Sequence, residues 1–141
     1  MIAIVKADFN KEVTDLLLEG CEQKLKNFQV PYRVFTCPGA VETVTYSRKI
    51  MKTGLYKAII VIGAIIKGDT DHYEYVCQFV TQGISHLSAH SEIPLIFGIL
   101  TTQTEELAMV RALPGEMNKG AEFAETAIFM MDAFQKVDQN H

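Results

Sequence analysis

Between Lys67 and Tyr73 the chain runs KGDTDHY, setting a glycine, two aspartates, a threonine and a histidine side by side. A helix beginning there would expose unpaired backbone N–H groups and the positive end of a dipole, a ready cradle for phosphate. Gly68 would let the backbone approach such a ligand, Thr70 could donate a hydroxyl hydrogen bond, and His72 could act as a proton donor or acceptor. The plainer reading has Asp69 or Thr70 only capping the helix and His72 on the surface. A second group is GAVE, Gly39 to Glu42, whose amides and carboxylate suit a polyhydroxylated chain, or equally a Pro-Gly turn feeding a helix. Phe9 offers a flat apolar face at the rim of the same region, although such a residue usually only packs. Phe97 lies inside an apolar run, which makes core packing its default. Arg111 and Lys119 flank a Pro-Gly break and read either as ligands of phosphate or carbonyl groups or as solvated charges.

Several chemistries have no sequence case. Neither GxGxxG nor GxxxxGK[ST] occurs, which removes the usual argument for a dinucleotide or a nucleoside triphosphate. The histidines His72, His86, His90 and His141 offer one i, i+4 pair without a ligand pattern around it, so no metal is expected. No serine stands in a GxSxG elbow. Cys21, Cys37 and Cys77 are an odd number without CxxC spacing, which suits a reducing cytoplasm rather than a disulfide framework.

The elements that must hold these residues follow from the hydrophobic period. Met1 to Ala7 reads as a strand, and Val13, Leu16, Leu17, Cys21, Leu25 and Phe28 then share one face of a helix from Lys11. YRVFTC is a second strand, broken by Pro38-Gly39 and followed by a helix from about Ala40 to Lys52. KAIIVIGAII is unbroken and apolar, as expected of a central parallel strand covered on both faces. Helical spacing resumes at Val76 and runs to Ser91, PLIFGIL forms a fourth strand, and a short helix spans about Gln103 to Ala112. The last helix, from about Asn118 to Val137, contains AIFMMDAF, apolar on more than one face and expected to meet both its own sheet and another subunit. The order βαβαβαβαα predicts a doubly wound α/β sandwich with four parallel strands as one domain over residues 1–141. Ligands of such sheets bind beyond the carboxyl ends of the strands, at Asp8 to Asn10, Cys37 to Glu42, Lys67 to His72 and Thr101 to Thr102.

Length and composition agree. The 141 residues are 48 % apolar and 21 % charged, enough for one sizeable core and no second ordinary one. A net charge of −4 argues against nucleic acid or an anionic membrane as partner. The longest apolar run, Ala58 to Ile66, is about half of the ~20 residues a membrane span needs.

Taken together, Phe9-Asn10, PGAVE at Pro38 to Glu42, GAIIKGDTDHYEYV at Gly63 to Val76, PLIFGILTT at Pro94 to Thr102 and NKGAE at Asn118 to Glu122 resemble the lumazine synthase family over essentially the whole chain. The resemblance implies a flavodoxin-like three-layer αβα sandwich with a four-stranded parallel sheet. It also implies an enzyme condensing 5-amino-6-(D-ribitylamino)uracil with 3,4-dihydroxy-2-butanone 4-phosphate in riboflavin biosynthesis, without metal or cofactor. In that family's pattern Phe9 would stack on the pyrimidine, Ala40, Val41 and Glu42 would hold the ribityl chain, and Ala64, Ile65 and Ile66 would line the ring pocket. Asp69, Thr70 and Arg111 would bind the butanone phosphate, with His72 as proton donor. Phe97, Arg111 and Lys119 would reach in from a neighbouring subunit, Phe97 and Lys119 onto the pyrimidine substrate.

The implied partners are the two small substrates, further copies of the chain in a pentamer or a multiple up to a sixty-subunit shell, and riboflavin synthase. Neither nucleic acid nor membrane is implied. The sequence departs from the family's pattern at Lys67, where Arg is usual, at Val41, where Phe is usual, and at Asp71, where Thr or Pro is usual. Starting at the first core strand, it is also expected to lack the N-terminal extension that pairs with a neighbour's sheet in many relatives. The short Arg111 to Lys119 connection resembles members that form shells. Two rival readings stand beside this one: a non-catalytic flavin- or lumazine-binding or shell protein on the same scaffold, and an FMN electron carrier. The carrier would show a Ser/Thr/Gly-rich loop after the first strand, where this chain has ADFNKE.

Overall fold

The computed structural model describes residues 1–68 and 72–140. Its elements are β1 (Ile2–Ala7), α1 (Lys11–Asn27), β2 (Tyr32–Cys37), α2 (Ala40–Met51), β3 (Ala58–Ile66), α3 (His72–Ala89), β4 (Leu95–Thr102), α4 (Glu105–Ala112) and α5 (Lys119–Gln139). All strands are parallel, in the order β2-β1-β3-β4. Helices cover both faces, giving the expected flavodoxin-like three-layer αβα sandwich.

Strand alternation divides the core in two. Ile2 and Ile4 of β1 with Ala58, Ile60 and Ile62 of β3 face α1, α4 and α5, whereas Ala3, Val5, Ile59 and Val61 face α2 and α3. Because the two central strands are buried on both sides, they read as continuous apolar runs without alternation. The chain reverses direction across the sheet between β1 and β3, so the crevice for a ligand opens where their carboxyl ends diverge.

Helix α3 begins at His72, which puts the histidine in its first turn as expected. Two other expectations change in detail. Thr101 and Thr102 are the last residues of β4 rather than a loop, with Lys67 N–H bonded to Thr102 O at 3.0 Å. Phe97 is not in the core: it is 39 % exposed. The physical reason is position, since β4 is an edge strand that α3 covers only in part, leaving a groove beside Thr81, Ser85 and Ser88. On α5 the small residues Ala121, Ala124 and Ala127 turn inward and Phe129 stands outward, 71 % exposed.

Lys6 is buried at the end of β1, with its Nζ 2.6 Å from Asp15 Oδ1 and 2.8 Å from Asp8 Oδ1. Burial pulls the ammonium's pKa down, and the hydrogen bonds and charges of the two carboxylates more than reverse this, leaving it above its ordinary 10.5. Asp15 is held below its ordinary 3.8 by hydrogen bonds from Lys6 and Lys11. Linkage fixes the signs. Asp15 contributes stability that is present above 3.8 and lost as pH falls through its lower folded value; Lys6 contributes stability that is present below 10.5 and lost as pH rises through its higher folded value. Melting temperature against pH is therefore expected to fall at both extremes, and to fall less steeply there in Lys6→Met. Parallel profiles for the two proteins would show that the cluster carries no net stabilisation.

Candidate active site

A crevice of about 410 Å³ opens at the carboxyl ends of β1, β2 and β3, with the start of α3 as its far wall. Its floor is β3, where Ala64 and Ile65 are buried and Ile66 half-buried, so the ring-sized part of the cavity is apolar. At its rim Phe9 is 69 % exposed although it follows a fully buried strand. The turn that carries it is fixed by backbone bonds from Asp8 N–H to Cys37 O (2.9 Å) and from Phe9 N–H to Pro38 O (2.8 Å). Asn10 adopts a left-handed conformation, φ 61°, which asparagine tolerates better than most residues, and its Nδ2 donates to Ala64 O at 2.7 Å. The first strand's turn is thus tied to the third strand's floor.

The opposite lip is the start of α2. Gly39 is extended, and a Cβ built there would come within 3.3 Å of Glu42 Oε1, so the missing side chain gives the Glu42 carboxylate its place. Ala40, Val41 and Glu42 all line the cavity, with Glu42 in the first helical turn, where the dipole favours its charge. Beneath them Cys37 has its thiol pushed up to about 11 by burial and then by the charges of Glu42 and Asp8. Burial and these charges thus favour the neutral thiol over the thiolate.

His72 is the first residue of α3 and lines the crevice, followed on the same wall by Tyr73 and Val76. Burial raises the Tyr73 pKa, and the neighbouring Cys77 adds to the rise. Asp69, Thr70 and Asp71 lie outside the described residues. Among the described residues no group of three or more His, Cys, Asp or Glu is placed to hold a metal ion, and no helix is long and apolar enough to cross a membrane.

One chain therefore brings together Phe9, Ala40, Val41, Glu42, Ala64, Ile65, Ile66 and His72. Phe97, Arg111 and Lys119 lie elsewhere. Phe97 is on the edge strand, Arg111 on α4 donates to Leu107 O at 2.9 Å, and Lys119 opens α5 with Glu122 at 3.4 Å. Gly39 and Gly68, expected to offer backbone to a ligand, and Asn10, in the loop after β1, also line the crevice, as do Tyr73 and Val76, to which the sequence analysis gave no role. Such an arrangement can seat a flat ring on Phe9 and β3, hold a polar chain along the start of α2, and deliver a proton from α3.

The chain is similar to proteins of one family. The sequence profile of the family described as 6,7-dimethyl-8-ribityllumazine synthase matches residues 1–135. Proteins named 6,7-dimethyl-8-ribityllumazine synthase from two strains of Coxiella burnetii, Dugway and Nine Mile phase I, are 40 % and 39 % identical over 140 residues. Each alignment covers 97 % of this chain and 93 % of the relative. With the profile spanning every element of the sheet and the identity running nearly end to end, the chain belongs to the 6,7-dimethyl-8-ribityllumazine synthase family.

Proposed function

We propose that the chain condenses 5-amino-6-(D-ribitylamino)uracil with 3,4-dihydroxy-2-butanone 4-phosphate, a transferase step of riboflavin biosynthesis. The observation that carries this reading is the crevice itself, in which an exposed aromatic, an apolar strand floor, a helix start with a carboxylate and a histidine face one cavity. Phe9 stacks on the pyrimidine, which Ala64 to Ile66 hold from below. Ala40, Val41 and Glu42 bind the ribityl hydroxyls through backbone groups and the carboxylate. Asp69 and Thr70 hold the phosphate of the second substrate together with Arg111.

The reaction joins an aryl amine to a ketone, expels phosphate and closes a second ring, so protons must move while two substrates stay aligned. His72, at the wall shared by both, is the proton donor. Holding the partners in a reactive pose supplies most of the acceleration, because a bimolecular step becomes effectively unimolecular. His72→Ala is accordingly expected to lower kcat about tenfold with KM little changed, less than the ~10²–10⁴ that an indispensable acid contributes. Complete loss of turnover with ligand binding intact would show that proton transfer, not positioning, limits the rate.

Phe97, Arg111 and Lys119 complete the site from a neighbouring copy in a homopentamer or a multiple of it, including a sixty-subunit shell. Their positions away from the crevice of their own chain support this, as do the exposed aromatics Tyr75, Phe79 and Phe129. We place the enzyme in the cytoplasm, acting on small molecules as a single domain, with riboflavin synthase as its partner protein. The test is to mix the protein with both substrates and follow lumazine fluorescence against the uncatalysed background. Enzyme-dependent product supports the synthase; binding of both ligands without acceleration supports the non-catalytic binding or shell protein instead.

A further inference from the structure

Every residue of β1 is buried, and one of them is a lysine. The Lys6 side chain is 3 % exposed, while its carboxylate partners Asp8 and Asp15 are 47 % and 48 % exposed. A desolvated ammonium is costly unless well paired, and an aliphatic residue would fill the same place beside Ile2 and Ile4 without that cost. What the lysine adds is a junction of three pieces: the last turns of β1, the turn residue Asp8, and Asp15 on α1. Between Asp8 and Asp15 the chain carries Phe9 and Asn10 into the crevice. On the crevice side that turn is held by Pro38 O and Ala64 O; on the opposite side of the sheet it is held by Lys6.

We propose that Lys6 is a positioning residue of this site, clamping from beneath the turn that presents the Phe9 ring to a flat substrate. The inference rests on the reading of Phe9 as a stacking platform. Lys6 does not line the crevice, so it acts only through the turn. A stacked ring binds well when its platform is already oriented, so slack in the turn weakens binding of the ring substrate and leaves the later proton transfers alone. Lys11 also reaches Asp15, at 3.0 Å, from a side chain 65 % exposed, and serves as the control for loss of a charge at the same carboxylate.

Lys6→Met keeps an unbranched apolar stem and removes the ammonium. Compared with the parent chain, its KM for the ribitylaminouracil is expected to rise about five- to tenfold with kcat within about twofold, as for a lost orientation effect. Hydrogen exchange at the Asp8 and Phe9 amides, which donate to Cys37 O and Pro38 O, is expected to speed up about tenfold, reporting local opening of the turn. Lys11→Met should match the parent in both. The clamp is overturned if Lys6→Met leaves KM and exchange at parent values, or lowers melting temperature and kcat with KM unchanged, as a merely structural residue would. A parent chain that forms no lumazine overturns the functional reading instead, and the exchange of the turn then decides the clamp by itself.

Discussion

Phe9→Ala is expected to raise KM for the ribitylaminouracil roughly ten- to hundredfold, with the melting temperature unchanged, as a base stacked on an aromatic ring is worth about 1–3 kcal/mol by alanine substitution. Stability should not suffer, because the ring is 69 % exposed and buries little against its own chain. The backbone is equally secure, since the bonds at Asp8, Phe9 and Asn10 are made by main-chain groups and the Asn10 amide. Phe9→Tyr, which keeps the flat face, should stay within about threefold of the parent, and Phe9→Leu should fall between, because an aliphatic side chain contacts the ring without a π-face. Steady-state kinetics in each substrate separately provides the check. If Phe9→Ala changed KM for both substrates alike, the ring would be shaping the crevice rather than stacking on one ligand. If it changed neither, the platform would lie elsewhere.

Most of the fold was legible because its elements are limited by strong periodic signals. The four strands were found from apolar runs, and the order of elements, with short connections between them, leaves few topologies for parallel strands. Strand order was the part that pattern did not contain. An apolar strand such as PLIFGIL looks the same at the centre of a sheet or at its edge, so Phe97 read as core and is exposed. Phe9, the GAVE segment and His72 were legible because they stand at the strand ends, whereas Ala64, Ile65 and Ile66 came only with the family resemblance. Asn10 was visible only as a turn residue; its bond to Ala64, 54 positions away, depends on two strands becoming neighbours. Lys6 was visible only as a charge in an apolar run. Its pairing spans strand, turn and helix, and no local pattern announces a salt bridge of that kind.

The second large effect concerns the helices behind the sheet. Gly120→Ala is expected to destabilise the chain by about 2 kcal/mol or more and to lower the melting temperature by roughly 8 °C. A Cβ on Gly120 would press on the Leu17 carbonyl oxygen and lie 2.9 Å from the Leu17 carbonyl carbon and 3.1 Å from the Cys21 nitrogen. These are backbone atoms of α1, which cannot turn aside as a side chain would, so α1 and α5 must separate. Gly20 faces the same crossing from α1, where an added Cβ would meet the Asn118 side chain and lie 3.2 Å from the Ala121 nitrogen. Alanine gains about 1 kcal/mol over glycine in helix propensity, too little to offset overpacking of a backbone-to-backbone contact that costs about 1–3 kcal/mol or more. Gly115→Ala is the control, because a Cβ there meets nothing within 4 Å, and it should be neutral or slightly stabilising. Activity should fall with Gly120→Ala as well. Lys119 is the adjacent residue, and α1 carries the Phe9 turn at its start, so parting the helices moves two pieces of the proposed site relative to each other. Calorimetry and turnover on both variants provide the test. A Gly120→Ala protein as stable as the parent would mean that the helices slide apart at no cost, and that their close approach does nothing to hold the site in register.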